Sequence, residues 1–230
     1  MTTALVVCAH GTDNPAGQDV VRSITEQVRR RLPSITVRDA YVDVQIPALP
    51  DVVNELVAQH DSVVIVPLLL SSGFHTEVDV ADVVAAHAHV VAAPALGPHE
   101  LLGDVLVDRL HEAGAEAGDP VVLAVAGSSR PSGAADAEVM LDLLRRRWGG
   151  PVSLGYLAAR EPSVSDAVTA ARTDRQQVAV ASYLIGPGFF HDRLQRVVDV
   201  LVSEPLGDDA RLAELVLLRF AEASQPVDAR

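Results

Sequence analysis

VVCAHGTDNPAG, residues 6–17, returns 116 positions later as VLAVAGSSRPSG, residues 122–133. Gly11 falls on Gly127, Pro15 on Pro131 and Gly17 on Gly133. The same step of 116 carries His75 of LLLSSGFH, residues 68–75, onto His191 of IGPGFFH, residues 185–191. An offset that holds over so many positions reads as internal duplication of one α/β unit. The copies differ in chemistry. His10 stands opposite Ala126, so a single site is expected, built mainly on the first copy.

Around these repeats, short apolar runs alternate with segments of helical spacing. Residues 4–9, 36–41, 62–67 and 90–93 read as strands, and 17–32, 49–59, 75–88 and 100–113 as helices. In the second half the strands are 121–125, 152–157 and 178–183, and the helices 134–148, 164–172, 192–202 and 209–223. This rhythm predicts an α/β fold with parallel sheets and right-handed crossovers. Two similar Rossmann-like domains are expected, residues 1–114 and 120–230, with a cleft between them. The polar stretch EAGAEAGDP, residues 112–120, reads as their linker. Leu96-Gly97 meets Leu206-Gly207 at an offset of 110 rather than 116, so the second copy is shorter after its histidine. Its fourth strand is expected to be short or absent.

Aromatic residues make up only 3% of the chain, so the core must be built from Val, Leu, Ala and Ile, as suits a buried parallel sheet. The single cysteine, Cys8, permits no internal disulfide and no CxxC site, and reads as a small buried hydrophobe. All 18 basic residues are arginine. The absence of lysine excludes a Walker A loop and any Schiff-base chemistry on a lysine. A net charge of −13 argues against a nucleic-acid partner, which needs a basic surface. The longest apolar run, 63–70, is far shorter than the roughly 20 residues a membrane helix needs, and the start lacks the basic region of a signal peptide. A cytoplasmic protein is expected.

In an open parallel sheet, ligands bind beyond the carboxyl ends of the strands. His10 follows the first strand, Asp43 the second and His75 the third. Two imidazoles and a carboxylate at one sheet edge suit a borderline divalent ion such as Fe²⁺, Co²⁺ or Ni²⁺, and proton transfer near neutrality. In the second copy the trio becomes Ala126, an alanine (Ala158 or Ala159, depending on a one-residue gap) and His191. The loop 11–17 also sits between strand and helix as a phosphate loop does, but without G-x-G-x-x-G. His87 and His89 read as a solvated pair ahead of a second metal site.

Taken together, HG after strand one, YVDVQIPAL (41–49), PLLLSSGFHTEVDV (67–80) and LGPHELL (96–102) resemble the sirohydrochlorin chelatase family in its long, two-domain form. The resemblance spans nearly the whole chain. It implies two facing domains that hold sirohydrochlorin, a carboxylate-rich tetrapyrrole, while a divalent metal is inserted without ATP or an organic cofactor. It makes His10 and His75 the catalytic, metal-contacting residues. Asp43 stands where relatives often carry glutamate, as an assisting carboxylate. Iron is ranked ahead of cobalt because the chain has no His-rich tract. Arg130 and Arg160, at strand ends of the second copy, are expected to pair with substrate carboxylates. His191 is either a relic of duplication or part of the substrate-binding wall. Duplication within one chain favours a monomer. A metal or tetrapyrrole carrier of the same fold is the competing reading.

Overall fold

The computed structural model describes residues 2–73, 78–172 and 177–225. The chain forms two compact units. The first comprises residues up to Leu96 together with the segment from Ala210 onward, and the second runs from Gly97 to Asp209. Each holds one four-stranded, all-parallel sheet.

In the first unit the strands are β1 (Thr3–Ala9), β2 (Thr36–Tyr41), β3 (Ser62–Pro67) and β4 (Val90–Ala92), in the order β2-β1-β3-β4. Helices α1 (Pro15–Arg31), α2 (Leu49–Val57) and α3 (Val80–Ala85) connect them. ALVVCA in β1 is buried on both faces, so it reads as one continuous apolar run rather than an alternation. One face of the sheet packs on Leu49, Val52, Val53 and Leu56 of α2 and on Val80 and Val83 of α3. Helix α1 is pinned by Asn14, whose side-chain oxygen accepts from the Ala16 and Gly17 amides. It buries Val21, Ile24 and Val28.

The second unit repeats the plan. Strands β5 (Val121–Val125), β6 (Val152–Tyr156), β7 (Ala179–Tyr183) and β8 (Leu201–Val202) run in the order β6-β5-β7-β8. The connecting helices are α5 (Pro131–Arg145), α6 (Val164–Ala171) and α7 (Phe189–Val197). The expected shortening of the last strand is seen, since β8 has two residues.

The compact units are not the sequence halves 1–114 and 120–230. Helix α4 (Glu100–Glu112) lies with α5 and β7 of the second unit, and α8 (Ala210–Ala223) with α1 and β3 of the first. The division therefore falls at Leu96/Gly97 and Asp209/Ala210 and not in the 112–120 linker. Besides this packing, an equivalent arginine lock ties each helix to its unit. Arg219 on α8 donates to the carbonyls of Ala95 (3.1 Å) and Leu96 (3.3 Å). Arg109 on α4 donates to the carbonyl of Leu206, Nη2 at 3.1 Å. Leu96 and Leu206 are themselves equivalent, each amide donating 2.9 Å to Leu69 or Leu184.

Arg219→Ala would leave two carbonyls of a mostly buried lock without their charged donor. The expected cost is about 2 kcal/mol. Urea unfolding checks it, and a midpoint equal to that of the parent would refute the role of the lock.

Of the expected helix 75–88, residues 75–77 lie outside the described residues and the rest is helical only in part. A short π turn at residues 78–79 leads into α3, which ends at Ala85. Cys8 is fully buried, and burial, with Asp79 nearby, pushes its thiol up to about 12. It is inert core, as expected. No helix among the described residues is long and apolar enough to cross a membrane.

Candidate functional site

The order β2-β1-β3-β4 puts the topological switch point between β1 and β3, and the crevice outside their carboxyl ends is where such sheets take ligands. His10 occupies that edge. Ala9 pairs with Tyr41, and beyond this last rung the chains stay joined, Val42 N–H to Ala9 O (3.1 Å) and Asp43 N–H to His10 O (3.0 Å). His10 and Asp43 are therefore held side by side by backbone hydrogen bonds. Gly11, at φ +97°, makes this approach possible, since a Cβ there would lie 2.5 Å from the Asp43 carbonyl oxygen.

His10 is half-buried, and its Nδ1 lies 3.2 Å from the Gly11 carbonyl. A carbonyl can only accept, so Nδ1 is the donor in this bond. Asp43 is exposed, and one carboxylate oxygen accepts from the Val44 amide at 2.8 Å. His75 lies outside the described residues. The chain leading to it leaves β3 through Leu68, whose amide bonds to Cys8 O at 2.7 Å, and through half-buried Ser71, Ser72 and Gly73. Among the described residues, no three His, Cys, Asp or Glu side chains form a metal-holding group.

The first loop is braced by side chains. Gln45 Oε1 accepts from the Thr12 amide (2.8 Å), and Gln18 Nε2 donates to Thr12 O (2.8 Å). With Asn14 already holding the Ala16 and Gly17 amides, the donors a phosphate would use at the start of α1 are occupied. The phosphate-loop reading loses its physical basis here.

The second unit fixes the ambiguous alignment. Val44 (φ +51°) and Ala159 (φ +65°) share a left-handed backbone, and Tyr41 N–H to Pro47 O is repeated as Tyr156 N–H to Pro162 O. Asp43 thus corresponds to Ala158, at an offset of 115, and Gln45 to Arg160. The offset drops from 116 between Gly17/Gly133 and the second strands because α5 has 15 residues where α1 has 17. It is still 115 at Leu69/Leu184.

His191 is a correction. It is 4% exposed, with Nδ1 3.2 Å from Ser182 Oγ and Nε2 3.1 Å from Gln195 Nε2. Both ring nitrogens are spent inside the unit, which makes it a satisfied core histidine rather than a ligand. Burial pulls its pKa below the ordinary value, against the opposing pull of Glu204 and Asp192. The unfolded chain then binds the extra proton, so this group costs stability as pH falls through about 6.5 and costs nothing well above it. The urea midpoint should fall more steeply between pH 7.5 and 5.5 in the parent than in His191→Gln. Parallel slopes would show that another group sets acid sensitivity.

Arg160 is tied into its own loop. Its Nε donates to Ser128 O (2.6 Å) and its Nη2 to Arg130 O (3.1 Å), so it braces its own loop as Gln45 does in the first unit. Arg130, half-buried, precedes α5 as its N-cap residue. His60 and His99 are structural, the first bonded to Leu56 O and Thr36 Oγ1, the second capping α4 at the Leu101 amide. His87 borders a groove of about 520 Å³ with Val42, Asn54, Asp79 and Asp82, which holds none of the expected site residues. The sequence reading passed over the exposure of Val44 and Ile46 beside Asp43.

Comparison with known proteins matches this architecture. A sirohydrochlorin ferrochelatase of Priestia megaterium is 26% identical over 215 residues, covering 89% of this chain and 80% of that protein. A sirohydrochlorin cobaltochelatase of Sulfolobus acidocaldarius is 24% identical over 113 residues, 47% of this chain and 90% of its own length. SirB from Bacillus subtilis, solved with Fe³⁺, superposes with a TM-score of 0.87 at 19% identity, covering 100% of this chain and 98% of that one. The CbiX family model matches twice, over residues 4–113 and 120–223, each time along one copy of the repeat. The chain belongs to the CbiX family, the sirohydrochlorin chelatases, and carries the family's unit in duplicate.

Proposed function

We propose that this protein inserts a divalent metal ion into sirohydrochlorin without ATP, with Fe²⁺ as the favoured ion and Co²⁺ next, and that it works as a cytoplasmic monomer. The metal is a substrate and no organic cofactor takes part. One observation carries the reading. In the first copy the backbones of His10 and Asp43 lie side by side at the sheet edge, and the second copy keeps the closing bond and the left-handed residue of the loop with Ala126 and Ala158 in their places. The family membership of both copies supports it, as do the activities named for the Priestia and Sulfolobus relatives.

Insertion releases two pyrrole protons for each M²⁺ that enters the ring, and the ion must shed water on the way. An imidazole at His10 is a suitable donor type for the incoming ion and a suitable acceptor type for a proton. Asp43 is a carboxylate beside it, able to attract the cation and to take up a proton. His75 is proposed as the second imidazole. Arg130 is proposed to meet a substrate carboxylate.

The test is anaerobic mixing of the protein with sirohydrochlorin and Fe²⁺, Co²⁺ or Ni²⁺, followed by absorbance against the uncatalysed rate. Acceleration with at least one ion is expected. Binding of the tetrapyrrole without acceleration would replace the enzyme reading with a carrier.

A further inference from the structure

The β2–α2 loop carries two apolar side chains that nothing covers. Ile46 is 87% exposed and Val44 57% exposed. They flank Gln45, whose side chain turns inward to the Thr12 amide, and they adjoin Asp43. Val44 also sits at φ +51°, a costly conformation for a β-branched residue. Neither residue is needed to form the loop. The second unit builds the same loop, with the same closing bond and the same left-handed residue, using Ala159 and Glu161. The apolar pair therefore occurs in the copy that has His10 and Asp43, and is missing from the copy that has Ala126 and Ala158.

We propose that Val44 and Ile46 form an apolar ledge that seats a carbon face of the tetrapyrrole beside His10, making them substrate-binding residues. The inference rests on the chelatase reading for its ligand. A tetrapyrrole with carboxylates on its rim has one apolar surface to offer, the ring face, and an exposed Ile next to the metal-handling edge is complementary to that face. Val44 is held in a strained backbone at the position where it reaches solvent beside Asp43.

The experiment compares the parent with Ile46→Ser, Ile46→Leu and Val44→Gly. Metal-free titration with sirohydrochlorin gives Kd, steady-state insertion of Co²⁺ gives KM and kcat, and thermal melting and sedimentation report the fold and association state. Partial burial of one Ile is worth about a fivefold to tenfold change in affinity, so Ile46→Ser should raise both Kd and KM for sirohydrochlorin by that factor. Its kcat and its KM for Co²⁺ should stay within about twofold, and Ile46→Leu should restore parental values. Val44→Gly should raise KM about threefold while lifting Tm by about 3 °C, because relieved strain and lost contact act in opposite directions.

Sirohydrochlorin Kd values within twofold of the parent in both Ile46→Ser and Val44→Gly would overturn the ledge. So would a change of association state in their place, which would make the patch a contact between copies. If the parent binds sirohydrochlorin but does not accelerate insertion, the chelatase reading falls and the ledge is still decided by the Kd values. If the parent binds none, both fall.

Discussion

His10→Ala lowers kcat/KM for metal insertion by about a thousandfold, within the range lost when a positioned acid–base group is removed. The substitution recreates what the second copy carries at Ala126, in a loop of the same backbone form. The fold loses little. His10 is half-buried, and the bond from Nδ1 to the adjacent Gly11 carbonyl can be replaced by water. Melting should stay within about 2 °C of the parent, equivalent to less than about 1 kcal/mol. Sirohydrochlorin affinity should also hold, because the ring is seated by other groups. The reverse change, Ala126→His, should add no activity, since Ala158 supplies no carboxylate beside it. Initial rates under anaerobic conditions at saturating metal make the measurement. A His10→Ala rate within tenfold of the parent would remove His10 from the proton and metal path.

Much of this arrangement was legible in the sequence, for reasons that can be located. β1, β3 and β5 read cleanly because strands buried on both faces are nearly unbroken apolar runs. The pairing of His10 with Asp43 followed from strand ends alone. The exchange of α4 and α8 did not. Each helix has an apolar face of the kind that fits either sheet, and the arginine locks act on backbone carbonyls, which carry no residue signature. The loop-bracing bonds of Arg160 were invisible for the same reason, since its partners are the carbonyls of Ser128 and Arg130. His191 misled because spacing reveals neither its burial nor its bonds to Ser182 and Gln195. Val44 and Ile46 escaped notice because the pattern of YVDVQIP does not reveal that the chain turns at Val44 and leaves both side chains in solvent.

Gly11→Ala and Gly127→Ala should destabilise the protein alike and differ in activity. Both glycines lie in the left-handed region, at φ +97° and +92°. A Cβ on Gly11 would lie 2.5 Å from the Asp43 carbonyl oxygen and 3.1 Å from the Gln45 amide, and one on Gly127 would lie 2.0 Å from the Ala158 carbonyl oxygen. No flexible side chain can give way, so the backbone of the facing loop must move. The left-handed penalty for alanine plus this displacement should cost about 3 kcal/mol in either unit, a fall in Tm of about 8 °C. In the first unit the loop that moves carries Asp43, Val44 and Ile46, and the bond from Asp43 N–H to His10 O at 3.0 Å is the first to stretch. Misplacing a catalytic pair by about 1 Å can cost on the order of a hundredfold, so Gly11→Ala should lose at least tenfold in kcat at 20 °C, where both variants remain folded. In the second unit the loop that moves carries Ala158, Ala159 and Glu161, none of which has a place in the chemistry, and kcat should stay within about threefold. Melting curves and initial rates on the two variants decide it. An equal loss of kcat in Gly127→Ala would mean that the second loop takes part in insertion and not only in seating the substrate.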